Sequence, residues 1–255
     1  MIKKKSFVIF LPILFFLTGC ATQDANKRLS GPGDGVVVND ASNIRHIVSA
    51  IELENAAKKE FEKIKNKAKE NNELVDKNNP VLEKLVMISQ KLKPHTIAWN
   101  PASANWDWEV ILIKSESLNA FCLPGGKIAF FTGIIEKLEL NDNEIAMIMG
   151  HEMAHALREH ARSRIAKAQL TDLGADLLTS VLGLGKNERR IMGFGRQLIG
   201  LKFSRNDETD ADLVGLDIAS RGGYNPRAGI TLWKKMQKAS QGSPPEWLST
   251  HPSGT

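Results

Sequence analysis

A histidine pair spaced for metal binding stands in the middle of the chain, in the segment His151-Glu152-Met153-Ala154-His155. Residues four apart lie on one face of an α-helix, so His151 and His155 can present their imidazoles to one metal ion. Glu152 lies beside that face, where its carboxylate can reach a metal-bound water rather than the metal itself. Residues of these types at this spacing are typical of hydrolysis by a metal-activated water. The alternative is two helix-surface histidines at this spacing by coincidence.

A third protein ligand is expected, because a catalytic zinc usually has three protein ligands and one open position. His160 comes one residue too early for the pattern HExxHxxGxxH and lacks its glycine turn. On a continuing helix it would be rotated by about 140° from His155, so we expect a surface histidine or one that supports a ligand. Downstream, Glu208 and Asp212 are four residues apart, so one could bind metal while the other orients a ligating histidine. Helix capping is an equally plain explanation of these acidic residues.

Helices are predicted to position most of these residues. Asn141 followed three residues later by Glu144 is a capping box, which places the histidine pair about three turns into a helix. A second helix is predicted to begin at Pro80, since proline suits the first helical turn. An earlier charged helix is predicted with one apolar face, made of Ile47, Ile51, Ala57, Phe61, Ile64 and Ala68.

A small sheet is predicted between the early helices and the histidine pair. Alternating apolar residues indicate strands at 106–113, 119–123 and 127–132. The sequence therefore predicts an α+β fold, with one mostly helical domain that carries a small β-sheet and spans residues 44–255.

The first 43 residues have the composition of an export signal and a linker. Lys3, Lys4 and Lys5 precede an apolar run of 11 residues, 7–17, which is well short of the about 20 that a spanning helix needs. The ending Leu17-Thr18-Gly19-Cys20 resembles the bacterial lipobox, which implies a signal peptide at 1–19 and lipid attachment at Cys20. An ordinary signal peptide with a chance cysteine is the alternative. Residues 20–43 are rich in Gly, Asp, Asn and Ser and are predicted to be a flexible tether.

Charge excludes one class of partner. Without the three N-terminal lysines, 31 basic residues face 29 acidic ones, which gives no electrostatic argument for nucleic acid.

Several segments, in this order, resemble the HtpX-like gluzincin metallopeptidases, also called metallopeptidase family 48. The resemblance covers roughly residues 45–255. It is to the bacterial lipoprotein and periplasmic branch of this family. The segments that carry it are 119–126, His151 to His155 with Arg158-Glu159-His160, Ser204-Arg205 through Glu208 to Asp212, and Ser249-Thr250-His251-Pro252.

The resemblance implies a zincin-like fold and a role for each matched residue. One zinc ion per chain would be bound by His151, His155 and Glu208, with Asp212 supporting the site and Glu152 as general base. His251 would lie near the zinc, where it stabilises the oxyanion or occupies the open position in a latent state. An extended substrate would add as a strand to the run Asn119, Ala120, Phe121, Cys122, Leu123, Pro124, Gly125 and Gly126.

The expected activity is zinc-dependent cleavage of peptide bonds in misfolded or unassembled envelope proteins. The expected location is the periplasmic face of the bacterial outer membrane, with the lipid as anchor and the outer-membrane assembly machinery as a partner. Two alternatives from other classes stay open: a non-proteolytic zinc-binding chaperone or assembly factor of the outer membrane, and a structural lipoprotein. Zinc content and the effect of replacing Glu152 discriminate among them.

Overall fold

Helices make up most of the described chain. The computed structural model describes residues 29–180 and 201–239 together with Trp247, Ser249 and His251; only the backbone is described for 29–30 and 172–180. Within these ranges the helices are α1 (Ala50–Glu70), α2 (Pro80–Leu92), α3 (Thr132–Lys137), α4 (Asp142–Leu157), α5 (His160–Ser180), α6 (Arg205–Arg221) and α7 (Ala228–Ala239). The strands there are β1 (Leu29–Ser30), β2 (Val38–Asn39), β3 (Glu109–Ile113), β4 (Ala120–Leu123) and β5 (Lys127–Phe131). The predicted α+β class is confirmed.

The sheet that faces the histidine pair has three strands in the order β3-β5-β4. β5 pairs parallel with β3 and antiparallel with β4, which leaves β4 as an edge strand beside α4. The strand predicted at 106–113 is shorter in the structure, because β3 begins at Glu109 and not at Trp106. Trp106 follows a 3-10 turn at Pro101–Asn105, and its indole donates a hydrogen bond to Glu54.

Two amphipathic helices cover the sheet. α2 begins at Pro80 as predicted, capped by the side chain of Asn79, and buries Leu82, Leu85, Ile88 and Leu92. α1 begins only at Ala50, because residues Asn43–Ile47 form a separate 3-10 turn. Ile47 therefore lies outside α1 and is exposed, and Ile51 in the first turn of α1 is exposed as well instead of lying on the predicted apolar face.

α4 carries the histidine pair and is buried along almost its whole length. The predicted capping box is present: the Asn141 side chain accepts from the Glu144 backbone N–H, and Glu144 accepts from that of Asn141. α4 ends at Leu157, and Glu159 adopts a positive φ of 55°. His160 therefore begins a new helix, and the continuous helix assumed in the sequence-based argument about His160 is wrong.

A close crossing of α4 and α6 brings the two halves of the site together. Glycines meet at the crossing, and a Cβ on Gly150 would lie 2.5 Å from the carbonyl oxygen of Gly215. A Cβ on Gly215 would lie 2.5 Å from the backbone nitrogen of His151. Only residues without a side chain allow this approach, which brings the first turns of α6 beside the histidines.

Residues 29–43 of the predicted tether contact the rest of the domain. β1 and β2 pair antiparallel, Val38 is buried in the main core, and the carbonyl of Asn39 accepts a hydrogen bond from Arg158. The predicted signal peptide at 1–19 and Cys20 lie outside the described residues. No helix in the described part of the chain combines the length and apolar character needed to cross a bilayer.

Candidate metal centre

Four side chains from three parts of the chain converge at the buried centre of the domain. They are His151, His155, Glu208 and His251, and one potential ligand atom from each lies within 4.8 Å of the others. The Nε2 atoms of His151 and His155 are 3.0 Å apart. The Glu208 carboxylate lies 3.4 Å from His151 Nε2 and 3.7 Å from His155 Nε2. The structure thus brings together the residues predicted as metal ligands.

The chemistry of this group fits one cation. Glu208 Oε1 is buried and has no hydrogen-bond partner among the described residues. A buried carboxylate oxygen without a partner is costly, and a metal ion placed between it and the two imidazoles would satisfy it. Two histidine nitrogens and one carboxylate form a ligand set that suits zinc.

Asp212 supports His151 from the side away from the group. Its Oδ1 lies 2.8 Å from His151 Nδ1, so His151 donates there and turns Nε2 toward the other ligands. Burial alone would lower the pKa of His151, but hydrogen bonds to Asp212 and Glu208 and the charge of Glu152 raise it to about 10.

Glu152 lies beside the group and outside it, as predicted for a base. Its Oε1 accepts a 2.6 Å hydrogen bond from the indole Nε1 of Trp247 and lies 3.6 Å from His251 Nε2. Trp247 was not predicted from the sequence. Its position four residues before His251 is the available signal, because the His251 backbone N–H donates to the Trp247 carbonyl and joins the two in one turn.

His251 lies directly against the ligand atoms. Its Nδ1 is 3.2 Å from both His151 Nε2 and Glu208 Oε2. The ring stacks on Trp247, with centroids 4.9 Å apart and an interplanar angle of 26°. These contacts place an imidazole where a further metal ligand or a group contacting substrate would lie.

A cleft lies between β4 and the side chains of Glu152 and His155. Residues 119–124 of the predicted substrate-binding run line it, whereas Gly125 and Gly126 form the turn to β5 with positive φ. Phe203, which the sequence analysis missed, lines the same cleft and stacks on His155 with centroids 4.0 Å apart. Phe203 directly precedes the α6 cap at Ser204, and proximity in sequence to the Glu208 segment is the only signal for it.

His160 is buried, so the surface alternative for it is wrong. It is not one of the four converging residues; instead its Nδ1 lies 2.9 Å from His155 Nδ1. Its Nε2 lies 2.9 Å from Asp210 Oδ2, which Arg158 Nε also contacts at 2.7 Å. Burial would raise the pKa of Asp210, but the hydrogen bonds from His160 and Arg158 lower it below its ordinary value.

Comparison with known proteins agrees with this geometry. A sequence profile described as Peptidase family M48 matches residues 88–255, which is more than half of the chain. The chain belongs to peptidase family M48. The resemblance seen in the motifs is therefore confirmed at the level of the family. M48 peptidases use zinc, and the group of three histidines and Glu208 could hold one such ion.

Relatives in the M48 family include mitochondrial and bacterial proteases. The mitochondrial metalloendopeptidase OMA1 of Arabidopsis thaliana is 36% identical over 147 residues, which are 58% of this chain and 29% of that protein. The beta-barrel assembly-enhancing protease of Yersinia pestis is 26% identical over 60% of this chain and 33% of its own length. The metalloprotease LoiP of Escherichia coli is 22% identical over 98% of this chain and 92% of its own length. The chain thus spans about a third of the first two relatives.

Proposed function

We propose that this protein is a zinc-dependent metalloendopeptidase. The observation that carries the proposal is the buried convergence of His151, His155 and Glu208, with Glu152 beside them and outside the ligand set. In this proposal those three residues bind one zinc ion and Asp212 orients His151. Three protein ligands leave a position open for chemistry, which distinguishes a catalytic from a structural zinc site.

The proposed mechanism assigns proton transfer to Glu152. When bound, zinc supplies a Lewis acid that activates water and polarises the scissile carbonyl. The Glu152 carboxylate accepts the proton of the attacking water and delivers it to the leaving amine. The hydrogen bond from Trp247 to Oε1 fixes the orientation of this carboxylate. Burial of the site excludes bulk water and strengthens these electrostatic interactions.

His251 is proposed to occupy the open position at rest. Its Nδ1 lies 3.2 Å from an atom of each of two proposed ligands, which supports a latent state that substrate must relieve. Stabilisation of the oxyanion by the same imidazole is the alternative role.

Substrate is proposed to bind as an added strand along β4. In the described part of the chain β4 pairs only with β5, and the cleft toward Glu152 and His155 lies along it. An extended peptide that pairs with a sheet edge gains main-chain hydrogen bonds with little dependence on sequence. Such binding suits a protease that acts on unfolded segments of many proteins.

The cellular setting is proposed from the N-terminal sequence and the bacterial relatives. Lipid attachment at Cys20 would anchor the domain, residues 44–255, to the periplasmic face of the outer membrane and place it in the lipoprotein branch of HtpX-like enzymes. The relative named for β-barrel assembly supports an envelope location. Misfolded or unassembled envelope proteins are the proposed substrates, with the outer-membrane assembly machinery as partner.

One experiment tests the proposed activity. The purified protein should hold one zinc ion per chain and degrade casein, whereas Glu152→Gln should keep the zinc and lose several orders of magnitude in cleavage rate. The control is Glu136→Gln on the exposed surface of α3, which should retain both. Zinc binding without cleavage by either the wild type or His251→Ala would favour the chaperone, and failure to bind zinc would contradict both functions.

A further inference from the structure

A second histidine stands behind His155, and a carboxylate stands behind that histidine. His155 Nδ1 and His160 Nδ1 are 2.9 Å apart, and His160 Nε2 and Asp210 Oδ2 are 2.9 Å apart. His155 and His160 are both buried, so water does not compete for these hydrogen bonds. The chain of contacts runs from a proposed metal ligand to an acid that the proposed function does not use.

With His160 neutral, hydrogen-bond chemistry gives this chain of contacts one direction. Arg158 Nε can only donate, so Asp210 Oδ2, 2.7 Å away, accepts. His160 Nε2 contacts the same oxygen and therefore donates to it as well. A neutral imidazole with its hydrogen on Nε2 has a lone pair on Nδ1, so His160 Nδ1 accepts from His155 Nδ1. His155 is then left with its lone pair on Nε2, the atom that faces His151 and Glu208.

We propose that His160 and Asp210 are positioning residues that hold His155 in the tautomer able to bind metal. Asp212 does the same for His151 through one direct hydrogen bond of 2.8 Å. Among the described residues no carboxylate lies directly behind His155, and His160 bridges the gap to Asp210. The proposal rests on the proposed function in one respect, namely that His155 Nε2 binds the metal.

The fold explains why the bridge is a histidine from the next helix. The positive φ of Glu159 ends α4 and begins α5 at His160, which turns this ring back onto His155. Asp210 lies on α6 between Glu208 and Asp212, so one short acidic segment supplies a ligand and both supporting carboxylates. Arg158 holds Asp210 in place and also donates to the carbonyl of Asn39 in β2.

The first test reads the tautomers directly. In wild-type protein loaded with zinc and labelled with ¹⁵N-histidine, long-range ¹H–¹⁵N spectra should show His160 neutral with its hydrogen on Nε2. His155 should carry its hydrogen on Nδ1. A hydrogen on His160 Nδ1, with or without one on Nε2, would overturn the proposal. If wild-type protein fails to bind zinc through His155, the proposed function fails instead.

The second test measures zinc affinity by competition with a chelator. His160→Phe and Asp210→Ala should each weaken binding by about 10–100-fold, the usual effect of losing a residue that orients a metal-ligating histidine. His160→Gln retains an oxygen that can accept from His155 Nδ1, so it should recover part of the affinity lost in His160→Phe. The control His46→Gln, at an exposed histidine in the 3-10 turn, should bind zinc like the wild type. Unchanged affinity in a folded His160→Phe would refute the proposal.

Discussion

The indole of Trp247 donates a 2.6 Å hydrogen bond to Glu152, the residue assigned as general base, and both side chains are buried. The two residues are 95 positions apart in sequence. The bond ties the orientation of the base to the C-terminal segment that also carries His251.

Trp247→Phe tests this relationship, because phenylalanine keeps an aromatic ring and removes the donor. A hydrogen bond to a charged group contributes about 1.5–3 kcal/mol, so kcat should fall by roughly 10–100-fold while zinc content stays at one per chain. Steady-state cleavage of a fluorogenic peptide measures kcat. Trp233→Phe, at the neighbouring indole 5.9 Å away, serves as the control and should stay within about twofold of wild type.

His251→Ala tests the proposed latent state. Removing an imidazole that lies against His151 and Glu208 should open the position for water and raise basal casein cleavage. A fall of about 10²–10³ in kcat would instead assign His251 to the oxyanion, the usual scale for losing one such donor. A change of less than about twofold would show that His251 has neither role.

The glycine crossing of α4 and α6 gives a matched set of stability variants. Gly150→Ala and Gly215→Ala each place a Cβ 2.5 Å from backbone of the other helix, so each should destabilise the fold and weaken zinc binding. Gly229→Ala, in the first turn of α7, meets nothing within 4 Å among the described residues and should not destabilise the fold, because alanine favours helix. Urea unfolding of the three variants gives the comparison. Equal stability of all three would contradict the crossing geometry.

The hydrogen bonds of Glu144, away from the metal centre, are expected to stabilise the fold to an extent that depends on pH. Burial would raise the pKa of this carboxyl, but hydrogen bonds from Lys235, the Asn141 backbone and Thr231 lower it below its ordinary value. A carboxylate whose pKa is lowered on folding stabilises the protein above the unfolded-state pKa and loses that effect as pH falls. Glu144→Gln should therefore lower the unfolding free energy by about 1–3 kcal/mol at pH 7. The difference from wild type should narrow below about pH 4; a constant difference from pH 7 to 3 would contradict this account.

The sequence alone determined the parts of the site that depend on local geometry. The spacing of His151 and His155 places both on one helical face whatever surrounds them, and the capping box at Asn141 sets where that helix begins. The fold class and the start of α2 at Pro80 followed from periodicity and turn chemistry for the same reason. Glu208 and Asp212 could be selected from their segment only because the motifs resembled a known family.

Only the tertiary structure decided which distant side chains support the centre. Trp247 reaches Glu152 and Phe203 stacks on His155 because separate segments pack together, and no spacing rule relates residues so far apart. The position of His160 depended on one residue, Glu159. Its positive φ ends α4, so His160 does not lie on a continuation of the helix that carries His155. Local periodicity assumes that a helix continues, whereas the chain turns at Glu159, whose side chain forms ion pairs with Arg45 and Arg162.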